Sequence, residues 1–297
     1  MTRRLRAATR GSALALWQTN HVASLLASVD PTIELEVVVV ETAGDRRVDV
    51  PIADMGGKGV FVKEVQAAVL DGRADIAVHS AKDLPAITPE QLVIAAVPPR
   101  ADPRDVLVGT RLAHLAHGAR VATGSVRRQA QLAWLRPDLQ FASLRGNIAT
   151  RLAKASQFDA IVMAKAALDR LELSPPVVDV LDPDVIVPQV GQGALAVECR
   201  ADDVMTRTIV AGIQHRDDRR RVDAERAFLA ELGGDCTLPA GAHATLDAGA
   251  LRLAGVICSP DGRINLKETR SGSDAEMLGR LVARHLLDDA GGAALLR

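Results

Sequence analysis

Five short segments of the chain join glycine or hydroxyl residues to positive charge: ATRGSALALWQ at 8–18, GGKGVFVKE at 56–64, HSAKDLP at 79–85, GSVRRQAQL at 124–132 and SLRGNIATRL at 143–152. Each is expected to open a helix or end a strand. Glycines let backbone N–H groups approach a ligand, and helix N-termini favour anions. Arg10, Lys58, Arg127, Arg128, Arg145 and Arg151 add full charges to these segments. Together they can hold several carboxylate or phosphate groups at once. Taken singly, an arginine is more often a solvated or ion-paired surface residue, and GGKG does not match the phosphate loop G-x-x-x-x-G-K-[ST]. The joint pattern is harder to dismiss. Arg127 and Arg128 begin an expected helix directly after a strand and Arg145 ends the next strand, so they are expected along one edge of the same lobe.

Two further residues have types suited to chemistry. Asp83 follows Lys82 just past an apolar strand, where a carboxylate can donate or accept a proton, or can merely cap the turn before Pro85. Cys236, in LGGDCTLPAG, lies on a glycine-rich, proline-terminated loop where a nucleophilic or modified sulfur is accessible. Cys199 and Cys258 each end an apolar run and read as small buried hydrophobes. His79 reads as a core hydrogen-bonding residue. His114 and His117 are expected on one helical face but lack a third ligand, so no metal site is expected.

These residues need elements to position them. The first hundred residues alternate strand and helix: strand 5–9, helix 12–28 with Ser12 at the N-cap, strand 34–41, a loop through Gly59, helix 60–70, and strands 75–79 and 92–97. PPRADPRD at 98–105 reads as a hinge or linker. A second α/β unit repeats the pattern: strand 120–123, helix 126–135, strand 140–144, helix 147–154, strand 160–163 and a helix to about Leu171. After a turn-rich stretch, 194–198 is a strand that can cross back, and a charged helix covers 203–232 with a break near His215. Three alternating strands (241–246, 251–257, 263–269) and a helix at 274–287 make a small α+β domain. Ligands in open α/β lobes sit where loops and helix N-termini converge.

Composition limits the functional class. A length of 297 residues allows two or three domains at roughly 100–200 residues each. No apolar run approaches the ~20 residues of a membrane span, and the basic N-terminus lacks the apolar core of a secretory signal, so a cytosolic protein is expected. Three widely spaced cysteines suggest neither a disulfide framework nor a zinc cluster. The net charge is −1, yet it divides into −1 over residues 1–100, +6 over 101–170 and −6 over 171–297. Arginine supplies 30 of the 36 basic residues, and arginine grips carboxylate or phosphate bidentately. A polyanionic ligand is implied. Aromatic residues make up 2% with no tyrosine, which leaves few stacking platforms for nucleic acid.

The segments in their order, ATRGSALALWQ, GGKGVFVKE, DIAVHSAKDLP, DPRDVLV, TGSVRRQAQL, SLRGNIATRL, VGQGALAVECR and GGDCTLPAGAHA, resemble the porphobilinogen deaminase (hydroxymethylbilane synthase) family over nearly the whole chain. The resemblance implies two periplasmic-binding-protein-like α/β lobes, 1–98 with 193–212 and 102–187, followed by an α+β domain at 217–297. It implies a dipyrromethane cofactor in thioether linkage to Cys236. Onto this cofactor four porphobilinogen molecules are polymerised with loss of ammonia, and the linear tetrapyrrole is released. Asp83 matches the family's catalytic aspartate. Arg10, Ser12, Lys82, Thr123, Ser125, Arg127, Arg128, Arg145, Arg151 and Arg170 match residues that bind the pyrrole carboxylates. Gln18 is expected near the incoming substrate, and the loop from Gly56 to Phe61, with Lys58, over the cleft. Gly146 and Gln192 join the binding set. A monomer with no metal, membrane or nucleic-acid partner is expected. The chain departs from the family's pattern twice: Asp235 stands before Cys236 where the family usually has glycine, and Gly124 precedes Ser125 where serine is common. A non-catalytic solute-binding protein would share the two-lobed cleft and the arginines, but it has no need of Cys236 or Asp83.

Overall fold

The computed structural model describes residues 3–42, 62–234 and 238–296. In chain order, β1 (Arg3–Thr9) leads into α1 (Ala13–Val29), whose first turn is capped by Ser12 Oγ accepting from the Ala15 N–H at 3.3 Å. Next come β2 (Ile33–Val39), α2 (Lys63–Leu70), β3 (Ile76–Ser80), a 3-10 turn over Ala81–Asp83, and β4 (Leu92–Ala96). The chain continues through β5 (Asp105–Val108), β6 (Arg120–Ala122), α3 (Val126–Leu135), β7 (Gln140–Ala142), α4 (Ile148–Ala153), β8 (Ala160–Ala164), α5 (Lys165–Arg170) and β9 (Val178–Val180). Then β10 (Leu195–Arg200), α6 (Val204–Ala211) and α7 (Arg216–Glu231) precede β11 (Ala240–Asp247), β12 (Ala250–Cys258), β13 (Asn265–Gly272) and α8 (Ala275–Arg284).

The chain divides into two compact units, Met1–Ala101 with Ala194–Arg219, and Asp102–Gly193 with Arg220–Arg297. The first holds a five-stranded sheet in the order β2-β1-β3-β10-β4. β1 pairs parallel with β2 and β3, while β10 runs antiparallel between β3 and β4. Successive β1 residues serve opposite faces. Leu5 and Ala7 pack with Val22 and Leu26 of α1, and Ala8 packs with Val65, Ala68 and Val69 of α2. Burial on both faces is why these strands read as continuous apolar runs.

The second unit holds a like sheet, β7-β6-β8-β5-β9, and the three-stranded antiparallel sheet β11-β12-β13. Val121, Val162 and Leu132 pack on one face, and Ala122, Ile161, Met163 and Leu168 on the other. Ala130 of α3 and Val187 meet Val256 and Cys258 of β12, which seats the small sheet against the lobe. Mixed α/β lobes with a smaller third sheet agree with the sequence reading.

The expected 203–232 helix is two helices separated at 212–215, close to the expected break at His215. Asp105 opens β5 rather than closing a linker, and β9 lies in the stretch read as turns. His114 ends a single 3-10 turn, Leu112–His114, and His117 lies beyond it, so no helical face carries the two.

Candidate active-site cleft and arginine cluster

In the first unit the C-terminal ends of β1 and β3 and the first turns of α1 converge, as open α/β sheets arrange their binding crevices. Arg10 follows β1, Ser12 caps α1, and Gln18 lies farther along the same helix. Gln18 is buried, and its Nε2 donates to Ser80 Oγ at 2.8 Å, which ties α1 to the end of β3. Asp83 is the last residue of the 3-10 turn, half-buried, with the Ala81 N–H donating to the Ala194 carbonyl at 3.0 Å and the Leu84 N–H to the Ala81 carbonyl at 3.3 Å. Arg10, Ser12, Gln18, His79, Ser80 and Asp83 line one cleft, with Val62, Val65 and Val78 as its apolar wall. Such a cleft can hold an anionic arm at the guanidinium and present a carboxyl to a group that must gain or lose a proton. Lys82 sits beside Asp83 in the turn, half-buried.

Behind the cleft His79 Nε2 stands 3.1 Å from Glu198 Oε2, with side chains 4% and 0% exposed. Gln66 Nε2 donates to the same oxygen at 2.9 Å. His79 therefore faces a buried carboxylate at close range, but the contact lacks hydrogen-bond geometry, unlike the core hydrogen bond expected of it.

In the second unit the sequence-matched residues gather around a carboxylate. Asp105, wholly buried at the start of β5, accepts from Arg127 Nη2 (2.7 Å) on Oδ2 and from Arg128 Nε (2.9 Å) and Nη2 (2.7 Å) on Oδ1. Gln192 Nε2 also reaches Oδ1, at 2.8 Å, and the Pro103 carbonyl at 2.7 Å. Burial alone would raise the Asp105 carboxyl; the two guanidinium groups and these hydrogen bonds hold it far below the ordinary carboxylate range. Arg127 also donates to the Val187 carbonyl (2.7 Å) and Arg128 to that of Val162 (3.2 Å). Both side chains thus turn into the unit, unlike the edge placement expected from their position after a strand.

The remaining matched residues lie nearby in the chain order of the loops. Ser125 Oγ accepts from the Arg128 N–H at 3.4 Å as the cap of α3, and buried Thr123 Oγ1 accepts from the Ser125 N–H at 3.2 Å. Arg145 follows β7, half-buried. Gly146 has φ +111°, and a Cβ there would lie 2.7 Å from Thr150 Cγ2, so glycine is required before the Asn147 cap of α4. Arg151 Nε donates to the Gly146 carbonyl at 2.8 Å. Arg170 Nη2 donates to the Gly193 carbonyl at 2.7 Å; burial pushes its guanidinium down to about 10, still high enough to keep its charge at neutral pH. Gly124 has a structural reason: a Cβ there would sit 2.8 Å from the Leu144 carbonyl oxygen.

Sequence reasoning missed Asp105, Gln66 and Glu198 as members of these networks. Lys58, Phe61, Asp235 and Cys236 lie outside the described residues. Cys199 and Cys258 are buried, and burial pushes their thiols up to about 11 and about 12. Among the described residues no three His, Cys, Asp or Glu side chains gather as metal ligands, and no helix is long and apolar enough to cross a membrane.

The sequence profile described as porphobilinogen deaminase, dipyromethane cofactor binding domain, matches residues 5–208, and that of the porphobilinogen deaminase C-terminal domain matches 219–288. Porphobilinogen deaminase of Nitratidesulfovibrio vulgaris (strain DSM 19637 / Miyazaki F) is 46% identical over 300 residues, 97% of this chain and 95% of that protein. Porphobilinogen deaminase of Pelobacter propionicus is 45% identical over 299 residues, 99% of this chain and 96% of that protein. Among solved structures, the chain is similar to the methionine binding protein MetQ, with a TM-score of 0.44 and 11% identity over 72% of this chain and 91% of that one.

Proposed function

Because the chain belongs to the porphobilinogen deaminase family, we propose that the Asp83 cleft is where its reaction takes place. The family's reaction joins four porphobilinogen molecules, with loss of ammonia at each step, on a dipyrromethane cofactor and releases hydroxymethylbilane. This is the transferase activity of the chain. The residue roles follow from the cleft's chemistry. Asp83 is placed to protonate the departing amine and to offset the positive charge that develops on the substrate pyrrole. Arg10 and the Ser12 hydroxyl receive an acetate or propionate arm, and Gln18, held by Ser80, borders the substrate. The observation that carries this reading is the gathering of Arg10, Ser12, Gln18 and Asp83 on one cleft wall.

The donor set suits a group rich in carboxylates. Tethered to Cys236, the cofactor would supply a fixed primer, so that each addition is effectively intramolecular. Lys82, Thr123, Ser125, Arg128, Arg145, Gly146 and Arg151 are assigned to the carboxylates of the growing chain. Lys58 and Phe61, outside the described residues, are assigned to the same binding set. Arg127, Arg128, Arg170 and Gln192 are assigned both to that set and to holding the second lobe's binding surface in shape, since they donate hydrogen bonds to Asp105, to one another and to backbone carbonyls. Three domains, with boundaries near residues 98–102, 187–193 and 212–217, a monomeric state, a cytosolic location and no nucleic-acid partner complete the reading.

One experiment tests it. The intact mass of the purified protein is expected to exceed the sequence mass by two linked pyrrole units, and Cys236→Ser to remove that excess. In protein that carries the cofactor, Asp83→Asn is expected to lower turnover of porphobilinogen by about 10²-fold or more. An unmodified but fully active protein would refute the tether, and near-normal turnover by Asp83→Asn would refute the acid.

A further inference from the structure

The buried acid and histidine behind the cleft have no part in the roles above. Removing a carboxylate from water is tolerated where donors surround it. Glu198 is met by His79 from β3 and by Gln66 from α2. His79 lies one residue before Ser80, which holds Gln18, and four before Asp83. β10 runs beside this stretch with Leu195 opposite Ser80 and Ala196 opposite His79, and Ala194 receives the first N–H of the turn. The Asp83 turn therefore hangs from the end of the β3–β10 ladder, and the His79–Glu198 contact crosses that ladder diagonally beside it.

We propose that His79 and Glu198 are a positioning pair, whose buried contact, tied to α2 through Gln66, fixes the end of β3 so that Asp83 meets the substrate's aminomethyl group in register. The inference rests on the assignment of Asp83 to proton transfer. Backbone pairing with the β10 segment reaches only Ser80 and the Ala81 N–H, two residues short of Asp83. A buried side-chain contact anchored on a neighbouring strand and, through Gln66, on a helix removes the remaining freedom at the turn.

The test compares variants of the cofactor-loaded enzyme by steady-state kinetics and by amide hydrogen exchange at Ala81 and Leu84. His79→Ala is expected to lower kcat at least about tenfold with KM changed less than about twofold, because a catalytic group displaced by about 1 Å loses that much or more. Exchange at both amides is expected to rise. His79→Gln places an amide nitrogen near the position of Nε2 and is expected to restore most of kcat and of the protection. Wild-type kcat and exchange in His79→Ala would overturn the proposal. So would equal loss of kcat in the Ala and Gln variants with unchanged exchange, which would make His79 a proton-transfer group instead. Should His79→Ala fail to fold, the nearly isosteric Glu198→Gln decides by the same two readings: slower turnover with faster exchange supports the pair, and neither change overturns it. Failure of the Asp83 assignment appears separately, as turnover in Asp83→Asn, while the exchange data still report on the pair.

Discussion

Asp105 has no tolerance for the loss of its charge. Arg127 and Arg128 both converge on it inside the second unit, so Asp105→Asn leaves two guanidinium groups buried beside a neutral amide. Breaking a buried pair in this way costs about 3–5 kcal/mol, and denaturant unfolding of the variant is expected to show a loss of that size near neutral pH. The pH dependence has a defined sign. A carboxyl held below its unfolded value contributes stability that is complete above that value, about 3.9, and is lost as the pH falls toward the native one. The gap between wild type and variant should therefore be constant from pH 7 to about 5 and close only in strong acid. At this scale the sequence made the charges legible but not their partners. Arg127 and Arg128 stood out as a doublet after a strand, whereas Asp105 looked like the last residue of a proline-rich linker, because nothing local distinguishes a buried counter-ion from a solvated one. Glu198 was hidden in the same way inside the apolar run ALAVEC. The fates of Cys199 and Cys258 were legible, since an apolar strand around a thiol already implies the burial that raises it.

Among the elements, α3 spans Val126–Leu135 as its periodicity and the Ser125 cap require, and α4 begins at its Asn147 cap. β5 and β9 were not legible, being four and three residues long beside prolines; their identity comes from pairing with β8 and with each other. The loop between β6 and α3 shows how neighbouring elements choose a residue. Gly124 lets the backbone pass the Leu144 carbonyl, and the Thr123 N–H donates to Ala142 beside it at 2.9 Å. Restoring the family's serine with Gly124→Ser is expected to cost this chain about 1–3 kcal/mol, the range for forcing atoms into a filled space, because a carbonyl at 2.8 Å from the new Cβ must shift. A thermal midpoint equal to wild type would show that the two loops part freely.

For the molecule as a whole, the +6 stretch is net of Asp105 but still includes Arg127 and Arg128, whose side chains turn inward onto that acid. Arg145, after β7, and Arg151, in α4, are the half-buried arginines of this stretch assigned to the carboxylates. The two-lobed α/β class was legible from alternating strands and helices. That the small sheet shares a unit with the second lobe was not, because the seam of Ala130, Val187, Val256 and Cys258 joins residues far apart in the chain. The position of β10 also sets an order of events during synthesis. The chain leaves the first unit at Ala101 and returns only at Ala194 to fill the gap between β3 and β4. While a ribosome translates the whole second lobe, the first sheet waits with two strand edges facing an empty slot, the kind of edge that recruits other chains. A chain truncated after residue 193 is expected to aggregate when expressed, and a synthetic peptide spanning β10 to reduce that aggregation; soluble, monomeric truncated protein would contradict it. Synthesis of β10 thus marks the earliest moment at which a nascent chain can stop needing a chaperone.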